Sequence, residues 1–235
     1  MYGGCDMDEA ISVLELALFP LNTVLFPGQV LPLHIFEDRY RLMIRRCLAE
    51  DLPFGVVFIR RGQEVGQEAE PHSVGTLARI VRSSHQADGT MDIVAVGHER
   101  FCIRHLIHDQ PYLRGEVEML RMHDQSDPEI VVPLSGVVRD LVASYIKLIA
   151  EAAGLQIQVD EMPDAPQLVG NLAAIAMQID NQEKQEILVT SSLKQVLTNE
   201  VRLLNRENTL LRWMIAHRDW PAAAQFGASG TLLPN

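Results

Sequence analysis

Lysine is scarce in this chain of 235 residues: only Lys147, Lys184 and Lys194 stand among 20 basic side chains. A Walker-type phosphate-binding loop needs a lysine directly after a glycine, and no glycine here precedes a lysine. A Ser–Lys peptidase dyad needs a desolvated or otherwise activated lysine, whereas all three lie in polar stretches of the C-terminal half. The sequence therefore argues against a P-loop ATPase and against a Ser–Lys peptidase.

Positive charge as a whole is also in short supply. The 31 acidic residues outnumber the 20 basic ones and give a formal net charge of −11. Proteins that bind a phosphate backbone carry a basic stripe, so this balance argues against nucleic acid as a partner. RNA binding stays as an alternative that depends on a local arginine patch, for example a cleft lined by Arg60, Arg79 and Arg100.

Cysteines and long apolar runs are few. Cys5, Cys47 and Cys102 are too far apart for a CxxC metal or redox motif, which indicates a reduced, cytoplasmic chain. No apolar run reaches the length of about 18 residues that a membrane-spanning helix needs. No basic and apolar leader precedes Cys5, so we expect neither a signal peptide nor membrane association.

The residues with catalytic or metal-binding chemistry do not form a recognised motif. The chain has no HExxH and no GxSxG, and His105 and His108 are three apart in a strand pattern, which points them to opposite faces. His34 lies in an apolar run, and we expect it to lie in the core or half-buried and to be bonded to Glu37 or to the backbone. We therefore expect no catalytic residue, no metal site and no cofactor.

The order of patterns predicts an α+β fold. Short apolar runs with one amphipathic helix after Glu37 favour a compact barrel or folded sheet, and longer helical patterns follow. We divide the chain into a flexible leader at 1–11, a β-rich lobe at 12–122, a linker at 123–132, a helical bundle at 133–218 and a disordered tail at 219–235.

The last predicted helix has an apolar seam that repeats every seven residues, a spacing typical of coiled coils. An asparagine in such a seam can set the register of two helices, so we consider a homodimer through this helix, with ordinary bundle packing as the alternative. The seam consists of Leu197, Val201, Leu204, Asn208, Leu211 and Ile215.

The segment PLNTVLFPGQVLPLHIFEDRYRLMI at 20–44 is distinctive, and it resembles the start of the Lon protease amino-terminal, or substrate-binding, domain. Further matches follow in the order and spacing of that family. They are VGTLARI at 74–80, GHERFCIRHL at 97–106, PYLRGEVEML at 111–120 and NQEKQEIL at 181–188. The resemblance covers about residues 12–217.

This resemblance implies a PUA-like pseudobarrel followed by a helical bundle with a long C-terminal helix. It also implies a non-catalytic module, adaptor or chaperone-like, that binds unfolded or tagged polypeptides, and it leaves a protease partner open. We expect a stand-alone bacterial protein without the ATPase and peptidase modules of Lon. The alternatives are RNA or small-molecule binding by the barrel, or a hydrolase with an unrecognised site.

The family motif also carries individual positions over to this chain. We expect Pro27 and Gly28 to form a turn, Phe36 and Tyr40 to pack the helix on the barrel, and Glu37 to pair with Arg39 or Arg100. Gly75 and Thr76 are expected at a close-packed or bulged position. The full set, structural or binding, is Phe26, Pro27, Gly28, His34, Phe36, Glu37, Arg39, Tyr40, Gly75, Thr76, Arg100, Phe101, Pro111 and Tyr112.

Overall fold

A computed structural model describes residues 13–64, 69–122, 128–155, 157 and 162–217. The chain divides into two compact units, the first formed by Met1–Asp124 and Gln178–Ser192 and the second by Gln125–Met177 and Leu193–Asn235. The elements of the first unit are β1 (Val13–Leu21), β2 (Val30–Ile35), α1 (Asp38–Glu50), β3 (Phe54–Arg61), β4 (Glu70–His85), β5 (Met91–Ile107), β6 (Arg114–Leu120) and α4 (Asn181–Val189). Those of the second are α2 (Pro128–Ala152), α3 (Pro166–Ala176) and α5 (Leu193–His217). The fold is α+β, as the sequence predicts.

Five strands of the first unit close into a ring. β1 pairs in parallel with β3, and the antiparallel pairs β3–β4, β4–β5, β5–β6 and β6–β1 complete the circle. A closed sheet has no unpaired edge, so the backbone of the ring is satisfied internally. Each of the five strands contributes to one apolar cluster, which contains Leu16, Leu18, Val57, Leu77, Phe101 and Val117.

Two glycines make room for the largest side chain of this cluster. A Cβ at Gly55 would lie 2.6 Å from Cζ of Phe101, and a Cβ at Gly75 would lie 2.9 Å from the same atom. Neither distance is tolerated between carbon atoms, so a side chain at either position would displace the ring of Phe101. The next residue, Thr76, is fully buried and donates a 2.5 Å hydrogen bond from Oγ1 to the carbonyl of Leu25.

Beyond the ring, β5 continues into a three-stranded extension with β2 on one side and the second half of β4 on the other. The inner face of this extension forms a second apolar cluster together with α1. Its members include Leu31, Ile35, Met91, Ile93 and Ala95 from the strands and Tyr40, Met43, Ile44 and Cys47 from the helix. The helix α1 thus covers one face of the extension, and Val30, Pro32 and His34 point to the opposite face.

The helix α4 belongs to the first unit, although it follows α2 and α3 in sequence. Arg100 on β5 is 6% exposed, and its Nη1 donates to the carbonyls of Leu188 and Thr190, both at 2.7 Å. Gln185 donates from Nε2 to the carbonyl of Val74 at 2.9 Å. These bonds attach the end of α4 to the ring, where a cation also suits the negative end of the helix dipole.

The second unit is a bundle in which α2, α3 and α5 pack against one another. The expected seam on α5 contributes four buried residues, Leu197, Leu204, Asn208 and Leu211, whereas Val201 and Ile215 are half-buried. Asn208 donates from Nδ2 to the carbonyl of Leu141 on α2 at 3.1 Å. Ordinary packing within the chain therefore accounts for the buried part of the seam, including its asparagine.

Two boundaries differ from those expected. The helix α2 begins at Pro128, inside the expected linker 123–132, because Pro128 provides a helix start and Val131 is buried. Residues 178–192 join the first unit rather than the bundle, through the long-range bonds of Arg100 and Gln185. The expected leader at 1–11 and tail at 219–235 lie outside the described residues.

The attachment of α4 gives a first prediction. Arg100→Met leaves the carbonyls of Leu188 and Thr190 without their donor, and we expect the free energy of unfolding to fall by about 2–4 kcal/mol. Urea unfolding measures this loss, and hydrogen exchange should accelerate first in the α4 amides. The control Arg121→Met removes an exposed arginine at the end of β6 and should change stability little. Equal losses in the two variants would contradict the attachment.

Glu200 on α5 is fully buried, and neither of its carboxylate oxygens has a hydrogen-bond partner in the described part of the chain. A Cβ at Gly170 on α3 would lie 3.4 Å from Oε2, so the glycine leaves space for the carboxyl group. Burial raises the pKa of Glu200 well above its usual range. The neutral acid is therefore the form that the folded bundle accommodates.

A second prediction follows from the sign of this shift. Because the pKa of Glu200 is higher in the folded than in the unfolded state, its stabilising contribution is present in acid. This contribution is lost as the pH rises from the unfolded-state pKa of about 4.3 through the folded-state pKa. We expect Glu200→Gln to remove this pH dependence and to exceed the wild type in stability at pH 8 by about 1–3 kcal/mol. Urea unfolding from pH 5 to 8 measures the difference, with exposed Glu151→Gln as control. Parallel profiles of wild type and Glu200→Gln would rule Glu200 out as the titrating group.

Candidate functional site

The outer face of the three-stranded extension exposes apolar side chains. Antiparallel pairing places Val30 opposite Val96 and Pro32 opposite Val94. Because paired residues point to the same side of a sheet, these four side chains form two adjacent rows, and Phe36 follows directly after the end of β2. We call Val30, Pro32, Phe36, Val94 and Val96 the apolar strip.

The strip is accessible to solvent along β2. Val30 is 58% exposed and Phe36 is 51% exposed, Pro32 is exposed, and Val94 and Val96 are half-buried. Single exposed apolar residues are common on protein surfaces, but apolar side chains in adjacent rows of a sheet are typical of an interaction surface. The strip is therefore the candidate functional site of the first unit.

A polar pair, His34 and Asp92, occupies the row between the Pro32–Val94 row and Phe36. Nδ1 of His34 donates to Oδ1 of Asp92 at 2.7 Å, and Nε2 of Gln86 donates to Oδ2 of the same carboxylate at 2.7 Å. These two hydrogen bonds lower the pKa of Asp92. The ring of His34 also stacks on Phe36, with centroids 6.2 Å apart. The pair fixes the position of the imidazole that supports the exposed phenyl ring.

A small pocket of about 100 Å³ opens elsewhere on the first unit, between β1, α1 and the residues before β6. Its apolar lining includes Leu14, Leu52 and Tyr112, and the thiol of Cys47 lies at its edge. Burial raises the pKa of Cys47 to about 11, so the thiol stays neutral and is a poor nucleophile. The pocket has room for one apolar side chain and offers no activated group.

Two motif residues have surroundings that differ from those expected. Phe36 does not pack α1 on the barrel; it is exposed, because it continues the outward-facing side of β2. His34 is exposed rather than half-buried, and its partner is Asp92 on the neighbouring strand instead of Glu37. Tyr40 does pack inside, stacked on Phe19 at 4.2 Å between centroids, and burial raises its pKa to about 12.

The turn and the ion pair lie near the start of β2 and the start of α1. Gly28 has a φ of 84°, and Gln29 donates its N–H to the carbonyl of Phe26, which is the geometry of a turn with a left-handed third residue. Glu37 pairs with Arg39 at 3.0 Å, and the Arg39 guanidinium also lies over the Tyr40 ring. These contacts hold both ends of β2 in place.

The motif positions separate into an exposed, a half-buried and a buried group. Gly28, His34, Phe36 and Pro111 are exposed, and of these His34 and Phe36 lie at the strip. Pro27, Glu37 and Arg39 are half-buried. The buried group packs the barrel or attaches α4, and it consists of Phe26, Tyr40, Gly75, Thr76, Arg100, Phe101 and Tyr112. The strip also contains Val30, Pro32, Val94 and Val96, which sequence reasoning missed, because VLPLHIF and DIVAV are apolar at nearly every position and therefore do not show which face meets solvent.

The arginine cleft that would favour RNA does not form among these residues. Arg100 is buried and bonded to backbone carbonyls, and Arg60 pairs with Glu70. Arg79 is exposed on β4, apart from both of these arrangements.

Within the described residues there is also no group of three or more His, Cys, Asp or Glu that could hold a metal ion. No helix in the same ranges is long and apolar enough to cross a membrane.

Comparison with known proteins agrees with this fold. Two curated relatives are a Lon protease of Anaeromyxobacter dehalogenans, 29% identical over 84% of this chain, and Lon protease 2 of Myxococcus xanthus, 30% identical over 88%. The matched parts make up 24% and 25% of those proteins, so the chain spans about a quarter of their length.

Solved structures show the same likeness. A Lon N-terminal domain protein from Xanthomonas campestris has a TM-score of 0.57 at 25% identity, covering 85% of this chain and 98% of its own. The N-terminal domain of the Mycobacterium avium complex Lon protease has a TM-score of 0.61 at 20% identity, covering 83% and 98%. The family model described as the ATP-dependent protease La (LON) substrate-binding domain matches residues 15–206. The chain therefore belongs to the Lon substrate-binding domain family.

Proposed function

We propose that the chain binds unfolded or tagged polypeptides and that the apolar strip is the surface that receives them. The observation that carries the proposal is the row arrangement of Val30, Pro32, Val94 and Val96 with exposed Phe36 at its end. Membership of a substrate-binding domain family supports the same activity. No catalytic step is required, because binding alone delivers a polypeptide to another protein.

The strip suits unfolded polypeptides for a physical reason. Native proteins bury most of their large apolar side chains, whereas unfolded chains present them in extended segments. Burial contributes roughly 25 cal/mol for each Å² of apolar surface removed from water, and the entropy lost on association offsets part of this gain, so a strip of a few side chains gives weak binding. Weak binding of this kind favours capture followed by release.

A client segment would lie on the face of the extension rather than add to its edge. β2 is the last strand of the sheet order, but Pro32 has no N–H to offer a further strand. Side-chain contact with the strip is then the main source of affinity, so recognition depends on apolar character more than on backbone pairing.

The role downstream of binding is that of an adaptor or a chaperone-like factor, with a protease as one partner. The relatives named Lon protease and Lon protease 2 support this assignment. Work beside an ATP-dependent protease would place the chain in the cytoplasm, where ATP is available.

A binding measurement tests the proposal. The probe is fluorescein-labelled, reduced and carboxymethylated lactalbumin, which stays unfolded, and fluorescence anisotropy reports its binding. We expect micromolar affinity for the wild type and a loss of about five- to ten-fold in Phe36→Ser/Val94→Thr, because two apolar contacts are removed. Unlabelled native lactalbumin should compete poorly with this labelled, unfolded probe for binding to the chain.

The matched variant is Leu14→Ser/Leu52→Ser, which removes two apolar side chains from the pocket instead of the strip. Its affinity should stay close to that of the wild type. Thermal unfolding of both variants confirms that each is folded. Loss of binding in the pocket variant, with the strip variant unaffected, would contradict the location, and absence of binding by the wild type would contradict the function.

A further inference from the structure

Two arginines border the apolar strip on its β4 side. Arg79 is paired with Val96, and Arg82 is paired with Val94. Each arginine therefore continues one row of the strip from β5 onto β4, and the backbones of these neighbouring strands lie about 4.8 Å apart. The outer face thus changes from apolar on β2 and β5 to cationic on β4.

A β-bulge brings both arginines to this face. Residues three apart in a regular strand point to opposite sides, so Arg79 and Arg82 would normally be separated by the sheet. The register shifts between Ile80 and Arg82, which leaves Val81 as the extra residue, 61% exposed. Because a bulge restores the alternation after one added residue, Arg82 points outward again and Ile80 packs against the inner cluster.

Neither arginine is neutralised within the described ranges. Six other arginines of the first unit have carboxylate partners: Arg39, Arg41, Arg46, Arg60, Arg104 and Arg114. Arg79 and Arg82 are exposed and form no ion pair or side-chain hydrogen bond with a described residue. The carboxylate of Asp92, one row further along, already accepts hydrogen bonds from His34 and Gln86. Arg45 on α1 and Arg61 on β3 are likewise exposed without an ion pair to a described residue, but Arg79 and Arg82 differ from them in lying in the rows of the strip.

We propose that the strip prefers extended client segments in which acidic and apolar residues alternate, with the acidic side chains directed to Arg79 and Arg82. This inference rests on the proposed function of the strip. The two arginine rows are two β5 residues apart, about 6.8 Å along the strand. Alternate residues of an extended peptide have the same spacing, so two acidic residues at i and i+2 match the two guanidinium groups.

The geometry also explains how one segment serves both halves of the face. An extended chain that runs along the boundary between β5 and β4 directs alternate side chains to opposite sides. One set then reaches the arginines and the other reaches the apolar strip. Contact between the acidic side chains and the two arginines adds selectivity to apolar binding.

The test uses two fluorescein-labelled peptides of ten residues that differ only in one pair of positions, i and i+2, occupied by Asp in one and by Asn in the other. Leu and Val fill the alternate positions. We expect the wild type to bind the Asp peptide about five-fold more tightly at low salt, the gain that two exposed ion pairs provide. At about 0.5 M salt the preference should shrink, while affinity for the Asn peptide persists.

Arg79→Gln/Arg82→Gln should bind both peptides with the affinity that the wild type has for the Asn peptide. The matched control is Arg45→Gln/Arg61→Gln, which removes two other exposed arginines of the first unit that form no ion pair with a described residue, and it should keep the preference. A preference that survives in Arg79→Gln/Arg82→Gln, or equal affinities in the wild type, overturns this inference.

The peptides also separate the two proposals. If both peptides bind equally and both lose affinity in Phe36→Ser/Val94→Thr, the proposed function stands and the acidic preference falls. If neither peptide binds the wild type, both proposals fall. An unstructured RNA oligonucleotide serves as a competitor for the labelled Asp peptide. If the RNA displaces that peptide at a lower concentration than the unlabelled Asp peptide does, and if this displacement requires Arg79 and Arg82, the arginines are assigned to RNA and the inference is overturned.

Discussion

The first unit depends on β5, because this single strand is hydrogen-bonded to β2, β4 and β6. Its second half closes the ring and its first half supports the extension that carries the strip. At Gly97, between the halves, a Cβ would collide with the carbonyl of Phe26, so the missing side chain lets the loop before β2 lie against the strand. Further along, Phe101 fills the ring while Arg100 points the other way and holds α4. A slip of one residue in β5 would invert all of these side chains at once.

Local elements of this fold are predictable from periodicity. The spacing of Tyr40, Met43, Ile44 and Cys47 predicts α1, because a helix must bury one face, and the structure buries those residues. The change from short apolar runs to helical patterns after residue 120 separates the strands from α2 in the same way. The long motif at residues 20–44 also indicates the family, because turn, strand and helix signals occur together within it.

The features that sequence reasoning missed depend on contacts between distant residues. Both faces of β2 are apolar, so alternation along VLPLHIF does not show that Phe36 points to solvent. The membership of α4 in the first unit depends on Arg100 and Gln185, whose partners lie 88 and 111 residues away in the chain. The common orientation of Arg79 and Arg82 depends on one bulge, and a bulge of this kind has no composition signal in the sequence.

Pro32 interrupts the open edge of the sheet at β2, which bears on the release of a segment bound to the proposed surface. Exposed apolar segments held beside an open sheet edge are prone to add as further strands, and successive additions lead towards cross-β aggregates. At Pro32 the edge strand lacks the N–H that such growth would use. A segment held by its side chains alone can dissociate without breaking a backbone ladder. Under the proposed function, the residue that contributes apolar surface would also interrupt backbone pairing at the edge and so favour release of a bound segment.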